Sequence, residues 1–139
     1  MPAHLSVGQI VGPLQVPSEE HYFGTGVLLD SGAAYEIAAD QSEWTDSAIP
    51  STAAGNPDPV LAQQVFQGLL RCQEGLWFEL VGAVGRSDAH LFPVGMRKVW
   101  TYESHSVEAE PELQLFANDA FGFYFNNHGS IGVTITRIS

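Results

Sequence analysis

Asp119, Asn126 and Asn127 set one carboxylate and two amide oxygens within nine residues of the stretch NDAFGFYFNNHGS, which runs from Asn118 to Ser130. Oxygen donors of this mix suit a hard cation, because calcium takes about six to eight ligands from carboxylates, amide side chains and backbone carbonyls. Gly122 and Gly129 offer the turns that would fold these donors toward one point. The spacing D-x6-N-N is not that of an EF-hand loop. From these residues alone, a hairpin closed by Asx-turns reads equally well.

Other chemistry finds little support. The chain has no G-x-S-x-G elbow, no H-E-x-x-H, no Walker loop and no G-x-G-x-x-G opening a helix. Its five histidines, His4, His21, His90, His105 and His128, are scattered, and none sits at zinc-like spacing from another His, Cys or carboxylate. Ser87–His90 holds three residue types of a catalytic triad, but triad groups converge from separate elements rather than from neighbours in sequence. A non-enzymatic protein is expected. The single cysteine, Cys72, rules out an intrachain disulfide, and its apolar neighbours mark it as a buried structural thiol.

Sixteen carboxylates face five Lys and Arg, for a net charge of −11. A basic patch for phosphate backbones is therefore absent, and anionic membrane surfaces are disfavoured. The first sixteen residues carry no basic region followed by an apolar core, and no run of eighteen apolar residues occurs. The reading is a cytoplasmic protein, or one released by a route that needs no cleaved signal.

The elements that must position the candidate donors are mostly strands. Only DPVLAQQVFQGLL, Asp58 to Leu70, resembles a helix, with Asp58 as cap, Pro59 in the first turn and Val60, Leu61, Val65, Phe66 and Leu69 as its apolar face. Strands are predicted over Val27–Leu29 and Ala34–Ala38, joined by an Asp-Ser-Gly turn. Others are predicted in LWFELVGAVG, KVWTYE, ELQLFAND and SIGVTITRI. The last alternates Ile131, Val133 and Ile135 against Gly132, Thr134 and Thr136. Trp77 is assigned to the core, and IPSTAAGNPDP, Ile49 to Pro59, to one long surface loop. Strands spaced by turns without crossover helices predict one all-β domain over residues 1–139, an antiparallel β-sandwich.

The tail LFANDAFGFYFNNHGSIGVTI resembles the calcium and sugar loop of the LecA-like, galactose-specific bacterial lectins, through the pattern N-D-x-x-G-x-Y-x-N-N-x-G-S. Asn118, Asp119, Gly122, Tyr124, Asn126, Asn127, Gly129 and Ser130 carry that pattern, and TGVLLDSGAAYEIAADQSEWTD is similar to the family's early strand pair. Together these segments cover about half the chain. The resemblance implies an antiparallel jelly-roll β-sandwich of the galactose-binding-like type, holding Ca2+ through the side chains of Asp119, Asn126 and Asn127 and the carbonyls of Phe123 and Trp44. It also implies that two hydroxyls of a galactose-like sugar complete the metal shell, with Asp119 and Asn126 contacting the sugar. The family's further His and Gln sugar contacts fall near Gln64 and Gln67.

Four positions depart from the family. Phe123 stands where the pattern has Thr, His128 replaces a small residue, Trp44 stands for a Tyr, and Asp40 for a glycine. Phe121, Phe123 and Phe125 alternate and would emerge together from an extended segment, as core, as a stacking platform for a sugar, or as a self-association surface. An alternative to carbohydrate binding is thus a protein-interaction module of the same fold that forms homo-oligomers through this aromatic patch.

Overall fold

The computed structural model describes residues 2–104 and 111–139; His105 lies outside them. Among the described residues are twelve strands: β1 (Ala3–His4), β2 (Ile10–Pro17), β3 (Phe23–Leu28), β4 (Ala34–Ala39), β5 (Trp44–Asp46), β6 (Ile49–Ser51), β7 (Leu80–Val84), β8 (Phe92–Pro93), β9 (Arg97–Thr101), β10 (Glu112–Ala117), β11 (Asn127–His128) and β12 (Ser130–Arg137). They form a five-stranded sheet ordered β1-β3-β10-β7-β8, a four-stranded sheet ordered β2-β12-β4-β9, and a small sheet ordered β11-β5-β6. All pairings are antiparallel except the two-residue β1 beside β3. The β-sandwich expected from the turn spacing is the observed architecture.

Period-2 patterning builds the core. Ile131, Val133 and Ile135 of β12 are fully buried and meet Tyr35 and Ile37 of β4, Val16 of β2, and Leu113 and Leu115 of β10 in one cluster between the large sheets. Burying each such Val, Leu or Ile side chain stabilises the fold by roughly 1.5–3 kcal/mol before conformational entropy is subtracted. β7 does not alternate because both of its faces are covered: Leu80 and Val84 enter the main core, while Val81 and Ala83 pack with Cys72, Phe116 and Tyr124. Gly82 lies between them because a Cβ there would come within 2.3 Å of the Phe92 ring. Cys72 is buried and unpaired as expected, and burial pushes its thiol pKa up.

The Asp-Ser-Gly turn joins β3 to β4, but the two strands belong to different sheets, so the turn crosses the sandwich instead of closing a hairpin. The helix is shorter than its pattern: α1 spans Leu61–Val65, followed by a 3-10 turn at Gln67–Leu69. Val60, not Asp58, occupies its N-cap, and the Asp58 N–H donates to Asn56 Oδ1 instead. Its apolar face is also displaced, because Leu61, Val65 and Leu69 point to solvent while Gln63 is buried. The stretch assigned to one surface loop contains β6, a fully buried Ala53 and an Asn56 bridge to Trp77.

Candidate functional site

The NDAFGFYFNNHGS stretch continues from β10 into a 3-10 helix, Phe121–Asn126, and then β11, which pairs with β5. The extended segment that would have put three phenylalanines on one side is therefore absent. Phe125 and Phe121 are exposed, whereas Phe123 packs on Phe66 and against Leu70, Trp77 and Ala120. Of the two glycines, only Gly129 has a conformational duty. It sits at φ 90°, and a Cβ there would come within 3.2 Å of Trp44 Cα; a Cβ on Gly122 would meet nothing.

The three asparagines behave differently. Asn118 spends its whole amide on structure: Nδ2 donates to the carbonyls of Cys72 and Leu76 at 2.9 and 3.0 Å, and Oδ1 accepts from the Cys72 N–H at 2.9 Å. Asn127 donates from Nδ2 to the Ser18 carbonyl at 3.0 Å, but its buried Oδ1 has no partner. Asn126 Oδ1 is likewise buried and unpartnered, while its backbone carbonyl accepts from the Ser47 N–H at 2.9 Å. Asp119, 1 % exposed, accepts from the Ala120 N–H through Oδ1 at 2.7 Å and leaves Oδ2 buried without a partner. Buried polar atoms are nearly always hydrogen-bonded, so the unpartnered oxygens of Asp119, Asn126 and Asn127 are an anomaly, shared among the described residues by Gln114 Oε1 in β10. The two amide oxygens are acceptors only, and Asp119 Oδ2 is one whenever its carboxyl is ionised.

Electrostatics agree with that deficit. Burial pushes the Asp119 carboxyl up to about 7; the Asn127 amide, the Ala120 N–H and Arg71 oppose the shift, and the neighbouring Asp46 charge reinforces it. Among the described residues no Lys, Arg or His forms an ion pair with Asp119 or Asp46.

Beside these oxygens lies a cavity of about 450 Å³. Asp46, Ser47, Gln63, Asp119 and Asn126 give it polar atoms, and Ile49, Val60, Phe66, Trp77, Phe123 and Phe125 give it apolar walls. That size and mixture fit a small-molecule site with a few orienting polar groups. Phe123 lies on the wall, and Trp44 does not. The Trp44 ring is fully buried and donates from Nε1 to the Phe78 carbonyl at 3.0 Å, while Asp46 and Ser47, just beyond it, line the cavity. Ser47 holds φ 58°, a conformation that a non-glycine residue adopts at some energetic cost.

Gln64 and Gln67 also lie off the cavity. Gln64 Nε2 donates to the Pro59 carbonyl at 2.8 Å, and Gln67 Oε1 accepts from Trp77 Nε1 at 2.7 Å. The glutamine on the wall is Gln63. Val60, Gln63 and Phe66, spaced by three residues, supply this side of the cavity, a periodicity that the more hydrophobic Leu61–Val65–Leu69 row obscured.

A second cluster supports the same 3-10 helix from the opposite side. Arg71, whose side chain is 2 % exposed, donates to both Asp88 carboxylate oxygens, to the His21 carbonyl and to the Tyr124 hydroxyl, with its guanidinium 3.6 Å from the Phe116 ring centroid. Tyr124 donates onward to the Ala117 carbonyl, and the Arg71 N–H to the Asp119 carbonyl. Nothing in the sequence around Arg71 announced this role.

No family model and no curated protein matches the sequence. Among solved structures, the chain is similar to the N-terminal domain of EclA, described as a PllA-like lectin, with a TM-score of 0.60. The match has 23 % identity and covers 92 % of this chain and 97 % of that one. The likeness is one of fold: a β-sandwich over nearly the whole chain.

Proposed function

We propose that this protein is a non-catalytic, calcium-dependent carbohydrate-binding protein whose ligand is a galactose-like sugar or glycoconjugate. The observation that carries this reading is the group of unpartnered buried oxygens on Asp119, Asn126 and Asn127, the first two being residues that line the cavity. A carboxylate with two amide oxygens is a donor set for Ca2+, and the residues fit that ion better than zinc, which would want nitrogen or sulfur. Bound there, calcium would supply positive charge to the orphaned oxygens and open coordination positions for vicinal hydroxyls.

The chain's own residues do the rest. Asn127 is locked by its bond to Ser18, so its Oδ1 direction is set before any ligand arrives. Asp119 is held through Ala120 and through Arg71 on the main chain. Phe123, Phe125 and Phe66 offer ring faces to the apolar side of a sugar or to its aglycone. The likeness to a lectin domain supports carbohydrate as the ligand class.

Calcium titration followed by thermal denaturation tests the metal. Wild type is expected to gain roughly 2.7 kcal/mol of stability at a hundredfold excess over Kd, and Asp119→Ala to lose nearly all of that gain. An unchanged gain in the variant would remove Asp119 from the site. Calorimetry with galactosides in calcium and in chelator tests the sugar; equal binding in both buffers would defeat a metal-bridged mode.

The exposure of Phe125 at 82 % and Phe121 at 51 % favours one second reading, in which this surface pairs with another copy of the chain without binding sugar. Sedimentation of wild type and Phe125→Ser decides between them.

A further inference from the structure

Resting on the calcium reading above, we propose that Asp46 is a second carboxylate ligand of the same cation site, held in place for that purpose by Gln63. Three observations converge on it. Asp46 lies directly across from Asn127 in the β5–β11 ladder, so the two side chains share one face about 5 Å apart at Cβ. It lines the same cavity as Asp119 and Asn126. It is also 91 % buried, with no cation beside it among the described residues.

Its surroundings are built rather than incidental. Gln63 donates from Nε2 to Asp46 Oδ2 at 2.9 Å, and Gln63 Oε1 accepts from Asn56 Nδ2 at 3.1 Å and from the Val60 N–H at 3.2 Å. Those two donors fix which end of the amide faces Asp46. The carboxylate is thereby oriented through Oδ2. A buried charge with one neutral partner is costly, and a fold that retains it beside a second buried carboxylate needs a countercharge. The independent pointer to a ligand is the pair of unpartnered oxygens on Asp119 and Asn127, each residue 1 % exposed. Two carboxylates and two amide oxygens make a donor set whose charge balances a divalent ion, and charge count is a main determinant of calcium affinity.

A structural role and a ligand role predict opposite signs. If Asp46 serves only to bond Gln63, Asp46→Asn lowers stability in chelator and leaves affinity alone. If Asp46 is a ligand, removing its charge relieves repulsion in the metal-free protein and weakens binding of the ion. Calcium calorimetry and urea denaturation in chelator, on wild type, Asp46→Asn and Asp119→Asn, separate these. The expected result is roughly tenfold or greater weakening of calcium in Asp46→Asn, with a metal-free midpoint equal to or above wild type. Affinity within about twofold of wild type, while Asp119→Asn loses binding, overturns the proposal and leaves the calcium reading standing. No calcium binding by wild type overturns both. Europium excitation spectroscopy on the wild-type protein gives a readout independent of folding in the variants, since the line position reports the total charge of the ligands. Two carboxylates are expected, and a signal for one sinks the assignment.

Discussion

Two clusters flank the 3-10 helix Phe121–Asn126, and they differ in one respect. Behind it, Arg71 finds Asp88, Tyr124, the His21 carbonyl and an aromatic face. In front, Asp119, Asn126 and Asn127 each present an oxygen that has no partner among the described residues. Both are buried polar groups beside the same short element, so burial alone does not mark a functional site. Completeness separates them: the rear cluster is finished by its own side chains, and on the proposed calcium reading the front one is finished by a bound cation.

The largest test of this contrast breaks the finished side. Arg71→Met leaves Tyr124 without its donor and Asp88 with the Tyr22 hydroxyl as its side-chain donor, and should cost as much as about 5 kcal/mol. The loss should be equal in calcium and in chelator, which urea denaturation in both buffers would show. A loss confined to calcium would mean the rear cluster belongs to the binding site.

Next in size is a pH effect on the unfinished side. The Asp119 pKa is raised to about 7 in the fold from an ordinary 3.8. The metal-free folded protein therefore holds a proton that the unfolded chain releases. Its contribution to stability is full below about pH 4 and is lost as pH rises through about 7. The shift of about three units bounds this at about 4 kcal/mol, less whatever relaxation around the charge recovers. Urea midpoints in chelator should fall between pH 5 and 8.5; in calcium the fall should shrink, and in Asp119→Asn it should vanish.

Smaller effects sharpen the boundary. Gly129→Ala forces a side chain into a left-handed conformation against Trp44 and should cost about 1–3 kcal/mol, whereas Gly122→Ala should change stability by less than about 1 kcal/mol. Thermal denaturation of the pair would check that the rigid turn lies beside Asn127 and not at the start of the helix. Smallest of all, Phe125→Ser should leave stability within about 0.5 kcal/mol, because its ring is in solvent.

What the sequence made legible follows from how local each signal is. β12 could be read residue by residue, since alternation is a property of neighbours, and the oxygen donors near Asn118–Ser130 were visible for the same reason. The division of labour among Asn118, Asn126 and Asn127 was not, because it depends on the Cys72, Leu76 and Ser18 carbonyls, up to 109 residues away. Asp46 and Gln63 were missed on similar grounds: their meaning comes from the β5–β11 ladder and from a helix face that is more polar than its neighbour. Gln64 and Gln67 follow from a resemblance across a stretch of differing length, where a shift of one residue puts Gln63 on the cavity wall in place of its neighbour.

Asn118 and Asp119 are adjacent, yet one staples the Cys72–Leu76 loop and the other faces the cavity. On the proposed calcium reading, folding and binding are thereby written in separate letters. A descendant of this chain could exchange Asp119 for a neutral residue and still express as a stable sandwich, so the pair works as a two-character label for sorting relatives. Asn-Asp would mark a loaded site, and Asn followed by anything else an inherited scaffold free to take up another ligand.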